Sequence, residues 1–246
     1  MKLLMFDIET SPALVYTFSL FKPIISIEQV VEPTRMLCFT ARWYGTKKTL
    51  FYSEHHHGRQ TMVEKMHELL NDADAVVHYN GKSFDVKHVN REFLLAGLAP
   101  PAPYQQIDLY LESKRNFAWL SGKLQWLATQ LEIGSKVKHS GFGLWRRCLD
   151  GDPKAWAEMK RYALTDTDLL IDAYEALLPW IGRHPNVALI DSREGACPRC
   201  GSDKTQRRGF KALTTGTYPQ YQCQECKGWF RGTHRVGGAD VTAVAA

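Results

Sequence analysis

Apolar residues occupy Leu3 to Phe6 and Ile8, so Lys2 to Ile8 is a run just long enough for a buried strand. Met36 to Tyr44 and Lys48 to Ser53, rich in aromatic and β-branched residues, read as two more strands. Between the first two of the three, Pro12 to Pro33 carries apolar patches without a period, and no element is assigned there. Gln60 to Leu70 places Met62, Val63, Met66, Leu69 and Leu70 at helical spacing. Ala73 to His78 is a short apolar strand that stops at a turn signal, Tyr79-Asn80-Gly81. Phe84 to Ala96 reads as helix, Pro100 to Pro103 breaks the chain before Ile107 to Leu111, and Leu120 to Leu131 reads as an amphipathic helix. Asp152-Pro153 supplies an N-cap and a first-turn proline. Lys154 to Trp180, with Trp156, Met159, Ala163, Leu164, Leu170 and Ala173 at helical spacing, is then the longest helix expected.

Strands come first and then alternate with helices, which favours an α/β fold with a mixed sheet. Periodicity disappears over residues 181–196, where Gly182, Pro185 and Gly195 suit a linker. The expected organisation is a domain over 1–180, a linker over 181–196, a cysteine module over 197–232 and a flexible tail over 233–246. The chain has 246 residues, 44% hydrophobic and 23% charged, the balance of an ordinary globular protein. It lacks the about 18 successive apolar residues of a membrane span, and Asp7 arrives too early for a signal peptide, so a cytoplasmic location is expected. Charge is uneven: residues 191–246 hold nine Lys or Arg against five acids, a net of +4, while the first 190 residues net +1. A nearly neutral body with a basic end points to a polyanion such as nucleic acid, and a merely soluble basic tail is the alternative.

Six cysteines divide into two kinds. Cys38 and Cys148 stand alone in apolar surroundings and read as buried small hydrophobes. Cys197, Cys200, Cys223 and Cys226 form two C-x2-C pairs separated by 22 residues. Each pair can place two sulfurs about 2.3 Å from one ion, so the set reads as a tetrahedral thiolate site for one structural Zn²⁺. Disulfides are disfavoured without a secretion signal, and a redox motif would need one pair opening a helix after a strand.

Three acidic motifs follow one another along the first 180 residues. In Asp7-Ile8-Glu9 the two carboxylates share one face of a strand end while Ile8 faces the other way, unless the strand simply runs out into a polar loop. Asn80-Gly81-Lys82-Ser83-Phe84-Asp85 follows a strand and puts Asp85 in the first turn of a helix. Tyr162 and Asp166 lie four apart on the longest helix, on one face. As an ordered set, D-I-E-T, N-x3-F-D and Y-x3-D resemble the DEDD superfamily of 3′→5′ exonucleases in its Tyr-containing branch. They are most similar to the exonuclease domain of family-B DNA polymerases and to small, often phage-encoded, stand-alone exonucleases.

That resemblance, over residues 1 to about 180, implies a ribonuclease-H-like fold and a 3′→5′ exonuclease yielding nucleoside 5′-monophosphates. It implies Asp7, Glu9, Asp85 and Asp166 as metal ligands and Tyr162 as the residue that orients the attacking water. His139 lies too far upstream to take that role by motif. Two divalent ions about 3.5–4 Å apart can activate water and clamp a phosphodiester, and oxygen ligands suit two Mg²⁺ or Mn²⁺ rather than zinc. The cysteine module resembles a zinc ribbon. DNA, as single-stranded ends, is favoured over RNA by resemblance only, in a bacterial or phage-infected cell. The rivals are an RNA-directed exonuclease, a nuclease or strand-transfer enzyme making internal cuts, and a recruitment factor acting through its ribbon. No protein partner is inferable.

Lesser candidates complete the set. Arg207, Arg208, Lys211 and Trp229 interleave basic and aromatic residues in a way that suits a single strand, and one or two of the exposed aromatics are expected to contact nucleic acid; the alternative is that Tyr221 and Trp229 pack around the metal. Lys136, Lys138, His139, Arg146 and Arg147 form a basic cluster that either tracks substrate or is solvated. Asn80 either contacts substrate or closes its turn, and Asp108 either supports the site or caps a helix. Asp168 is read as a solvated acid facing elsewhere, and His55-His56-His57 as a solvated loop.

Overall fold

The computed structural model describes residues 1–135 and 139–238, in two compact units: Lys2–Tyr174, and Glu175 onward together with Met1. The first unit opens with β1 (Leu3–Thr10), a small pair β2 (Leu14–Val15) and β3 (Val30–Glu32), then β4 (Met36–Trp43) and β5 (Leu50–Ser53). Helices α1 (Glu54–His57) and α2 (Arg59–Asp72) lead to β6 (Ala75–His78), α3 (Asp85–Leu95) and β7 (Gln105–Asp108). Then come α4 (Leu109–Asn116), α5 (Leu124–Leu131), α6 (Phe142–Leu149) and α7 (Pro153–Leu177). The main sheet has the order β5-β4-β1-β6-β7, with β1 antiparallel to β4 and parallel to β6. It is the mixed, helix-flanked α/β sheet of a ribonuclease-H-like fold.

Leu3 to Phe6 of β1 are all buried, so period-2 alternation decides which face each takes, while period-3.6 spacing in α2 sets its buried stripe. Leu4, Phe6 and Ile8 pack with Met62, Val63, Met66, Leu69 and Leu70 of α2 and Val86, Val89 and Phe93 of α3. Each such fully buried side chain contributes about 1.5–3 kcal/mol. A second cluster joins Leu37 and Cys38 of β4 to Leu144 and Cys148 of α6 and Ala155, Trp156 and Met159 of α7. Cys38 and Cys148 are thus buried hydrophobes, as read. Asp152 caps α7, its Oδ1 accepting the Lys154 N–H at 2.9 Å.

Several expectations need correction. The helix expected from Leu120 begins only at Leu124, after an extended Lys123; Gly122, a poor helix former, precedes it and lies against Tyr110, where a Cβ would come within 2.6 Å of the ring. The histidine triplet is a helical turn rather than a loop, with Ser53 as N-cap and the His55 ring stacked on Trp156 at 5.2 Å. Pro12–Pro33 holds β2 and β3, whose two or three residues are too few to show a period. Asp168 pairs with Arg42 rather than with solvent alone.

In the second unit, residues 181–196, expected as a linker, include the one-turn helix α8 (Val187–Ile190), and the Val187 N–H donates to Pro198 O at 2.8 Å. A small sheet follows, built from β8 (Thr205–Leu213), β9 (Gly216–Cys223), β10 (Trp229–Arg231) and β11 (Gly237–Gly238). β11 pairs with Thr217 and Gly216 of β9, so the part of the expected flexible tail up to residue 238 is a sheet edge; the rest lies outside the described residues. Among the described residues, no helix is long and apolar enough to cross a membrane.

Candidate active site

β1 supplies two carboxylates to one face. Ile8 enters the core between them, and Asp7 lies opposite Thr40 in the β1–β4 ladder. The Thr40 and Thr167 hydroxyls meet at 2.6 Å, and Thr167 also donates to Ala163 O at 3.3 Å, which fastens one turn of α7 over β4. That rotation brings Tyr162, Asp166 and Leu170, spaced four apart, to line one pocket with Asp7 and Glu9. Oxygens of Asp7, Glu9 and Asp166 lie within 4.8 Å of one another.

Asp85 lines the same pocket but stands outside that triple. It opens α3, and its Oδ1 accepts the Ile8 N–H at 3.2 Å. Burial pushes its carboxyl up to about 6, against the opposing pull of backbone hydrogen bonds from its own N–H and that of Ile8. The Tyr162 hydroxyl donates to Asp166, and burial, followed by the charges of Glu9, Asp166 and Asp7, raises the phenol far above its ordinary value. The buried Cys38 thiol is raised likewise, by burial first and then by Glu9 and Asp7. Burial is the main cause in both, and the nearby carboxylate charges add to it in the direction a bound cation would oppose. The Tyr162 ring is held by His139 at 4.8 Å and by Trp145 at 6.3 Å.

Asp108 does more than cap α4. Its carboxylate accepts from Tyr110 N at 3.1 Å, and also from Asn80 N at 2.9 Å and Lys82 N at 3.2 Å, so it ties the loop between β6 and α3 to β7. Gly81 closes that loop against His78: its N–H donates to His78 Nδ1 at 3.1 Å, and a Cβ would lie 2.4 Å from the imidazole. Asn80 sits at φ +65°, which asparagine tolerates, and its Oδ1 accepts from Ser83 Oγ at 2.7 Å. Asn80 therefore closes the turn while lining the pocket.

The pocket encloses about 750 Å³ and is also walled by Phe84 and by Tyr79, Tyr110, Lys123 and Gln125, none of them assigned a role from sequence. These residues come from separate elements and form no spaced motif. Only Phe84, inside N-x3-F-D, carried a signal. Of the basic cluster, Arg147 is tied to Asp152 and Glu158, Arg146 is exposed and does not line the pocket, and Lys136 and Lys138 lie outside the described residues.

The second unit gathers its four cysteines. Cys197 and Cys226 sulfurs are 3.7 Å apart, those of Cys200 and Cys223 are 3.6 Å apart, and all four lie within 4.8 Å. Two thiolates about 2.3 Å from one tetrahedral ion stand about 3.8 Å apart, whereas a disulfide needs about 2.05 Å, so the spacing fits a shared ion. Gly201, at φ +71°, turns the first knuckle and donates its N–H to Cys197 O at 2.9 Å. Arg207, Arg208, Lys211 and Trp229 are all exposed, but the sheet divides them: Arg207 pairs with Tyr221 on one face, while Lys211 pairs with Tyr218 and Trp229 with Gln222 on the other.

Comparison with known proteins agrees with this architecture. The chain is similar in structure to a family B DNA polymerase from the hyperthermophilic archaeon Pyrobaculum calidifontis, at 15% identity and a TM-score of 0.53. The likeness covers 72% of this chain and 24% of the polymerase, so the chain spans about a quarter of the length of that protein, and it concerns the fold alone. No curated protein matches. The family described as RNase_H superfamily matches residues 24–178, a span that begins after β1 and its two acids. Nearly two-thirds of the sequence is thereby accounted for, and the chain belongs to the RNase H superfamily.

Proposed function

We propose that the chain is a metal-dependent 3′→5′ exonuclease that releases nucleoside 5′-monophosphates, with DNA ends as the favoured substrate. The observation that carries this reading is the convergence of Asp7, Glu9 and Asp166 within 4.8 Å, in a pocket that Asp85 and Tyr162 also line. Family membership supports a hydrolytic nuclease, and the four-acid set with a phenol supports the Tyr-containing branch.

Asp7, Glu9, Asp85 and Asp166 would hold two Mg²⁺ or Mn²⁺, hard cations suited to carboxylate oxygens. When bound, such ions neutralise the phosphate and lower the pKa of attacking water. The protein's own groups do the rest. A phenol is protonated at neutral pH, so Tyr162 acts as a positioning group and not as a base: it donates to Asp166 and leaves lone pairs for the water. The Asp85 bond to Ile8 N sets the fourth acid at a fixed place beside β1. The four cysteines would hold one structural Zn²⁺ in a module whose basic residues engage the polyanion.

Incubating 5′-labelled single- and double-stranded DNA and RNA with Mg²⁺, Mn²⁺ or EDTA tests the reading. A metal-dependent ladder shortening from the 3′ end, with mononucleotide release and an uncut circle, is expected. Cleavage of the circle overturns the exonuclease polarity, and no metal-dependent loss of any substrate overturns catalysis.

A further inference from the structure

The two faces of the C-terminal sheet are not alike. Arg207 lies opposite Tyr221, and Tyr221 opposite Phe230, so the three share a face. Phe210, paired with Pro219 beyond the β8 irregularity, joins them. The Tyr221 and Phe230 rings stack nearly parallel, 5.5 Å apart at 15°, and the Arg207 guanidinium lies 4.9 Å over the Phe210 ring. Tyr221 and Phe230 also line a groove of about 800 Å³ whose facing wall is drawn from residues 186–198. That wall is pinned by the Val187 N–H bond to Pro198 and by the Arg193–Asp203 pair at 2.6 Å. Arg193 and His234 line the groove, and Glu194 is its acid.

We propose that this face and its groove bind single-stranded nucleic acid, with unpaired bases stacking on the Tyr221–Phe230 pair and phosphates passing Arg207. A preset pair of parallel rings offers a π-face that any base can extend, and only unpaired bases expose theirs. The groove volume falls within the roughly 300–1,000 Å³ of sites that enclose planar organic groups. The unit's net charge of +4 attracts phosphate, not acidic protein alone, but the ring pair favours a ligand that brings aromatic faces together with its charge. The opposite face carries Trp229 and has Arg231 over Tyr218 at 4.5 Å; Arg231 also reaches the groove's lining, whereas Trp229 and Tyr218 do not. The choice of ligand rests on the nuclease reading, and the test needs no hydrolysis.

The test uses the full chain, zinc-loaded and without added Mg²⁺, with fluorescein-labelled oligothymidylate, oligouridylate and a DNA duplex followed by anisotropy. Phe230→Leu, which keeps apolar bulk and removes the ring, should weaken single-strand binding about tenfold. Arg207→Ala should lower the slope of log affinity against log salt by about 0.7. Trp229→Ala should change affinity less than about twofold if the other face is idle. Affinity unchanged by Phe230→Leu and Arg207→Ala, loss confined to Trp229→Ala, or a duplex bound as well as the single strand overturns the proposal. Circular dichroism and zinc content confirm that each variant folds. Should Phe230→Leu not fold, 5-iodouracil photocross-linking decides: adducts on Tyr221 or Phe230 support the face, and adducts elsewhere only overturn it. The thymidylate and uridylate arms separate DNA from RNA. Intact hydrolysis without this binding sinks the surface alone, and binding without hydrolysis sinks the nuclease reading alone.

Discussion

The carboxylate pocket and the cysteine cluster are both candidate metal sites, yet they are built in opposite ways. Asp7 and Asp166 are brought together from positions 159 apart by a sheet and helices whose apolar core stands without them. Cys197 to Cys226 span only 29 positions, and the module around them buries little besides Ala196, Cys197, Gly201, Gly216, Cys223 and Gly228. In the first region the fold makes the site, at the cost of crowded negative charge. In the second the site makes the fold. Removing a ligand should therefore have contrary consequences in the two regions.

The largest expected effect is structural and confined to the second unit. Cys223→Ser, or a strong chelator, should abolish amide protection across residues 197–231 in hydrogen exchange and leave β1, β4 and β6 protected. Equal loss in both units would erase the contrast. Asp7→Ala should do the reverse, lowering hydrolysis about a thousandfold or more with no loss in the melting temperature of the first unit. Tyr162→Phe should reduce kcat about a hundredfold without moving the metal concentration for half activity, as a group that positions water rather than a cation would do. A matching shift in metal dependence would make the phenol a ligand support instead.

Asp85 sharpens the comparison through pH. Its folded-state carboxyl is raised from 3.8 to about 6, so the metal-free folded chain holds that proton more tightly than the unfolded one. Stability then falls as pH rises from about 4 to about 6, and is level above. Asp85→Asn, which can still accept from Ile8 N, should remove that slope and stabilise the metal-free protein at pH 7 by on the order of 2 kcal/mol, measured by urea unfolding. An unchanged slope would show that the acid is solvated. The smallest effect belongs to Asp168, two residues from Asp166 but paired with Arg42 and 57% exposed at its side chain. Asp168→Asn should alter stability by less than about 1 kcal/mol and leave hydrolysis intact.

Much of this was legible because it is local. The apolar face of α2, the Asp152 cap and the four cysteines are written within short windows, and each appears where its spacing puts it. The Tyr162–Asp166 face is likewise a matter of helical spacing, but its direction is not. That depends on Thr40 meeting Thr167 across 127 positions, which no window contains. The same holds for Asp108, whose acceptance from Asn80 and Lys82 links two loops, and for His139, seated on Tyr162 with no motif to announce it. Gly122 is likewise set by a residue distant in sequence, because the Tyr110 ring leaves no room for a Cβ there.

The bond from the Ile8 amide to Asp85 makes the first strand a gatekeeper. A chain in which β1 has not docked lacks Asp7 and Glu9 at the pocket and leaves Asp85 without its anchor, so no partial cage survives. On the proposed reading, competence to cut would then arrive only once β1 has taken its place.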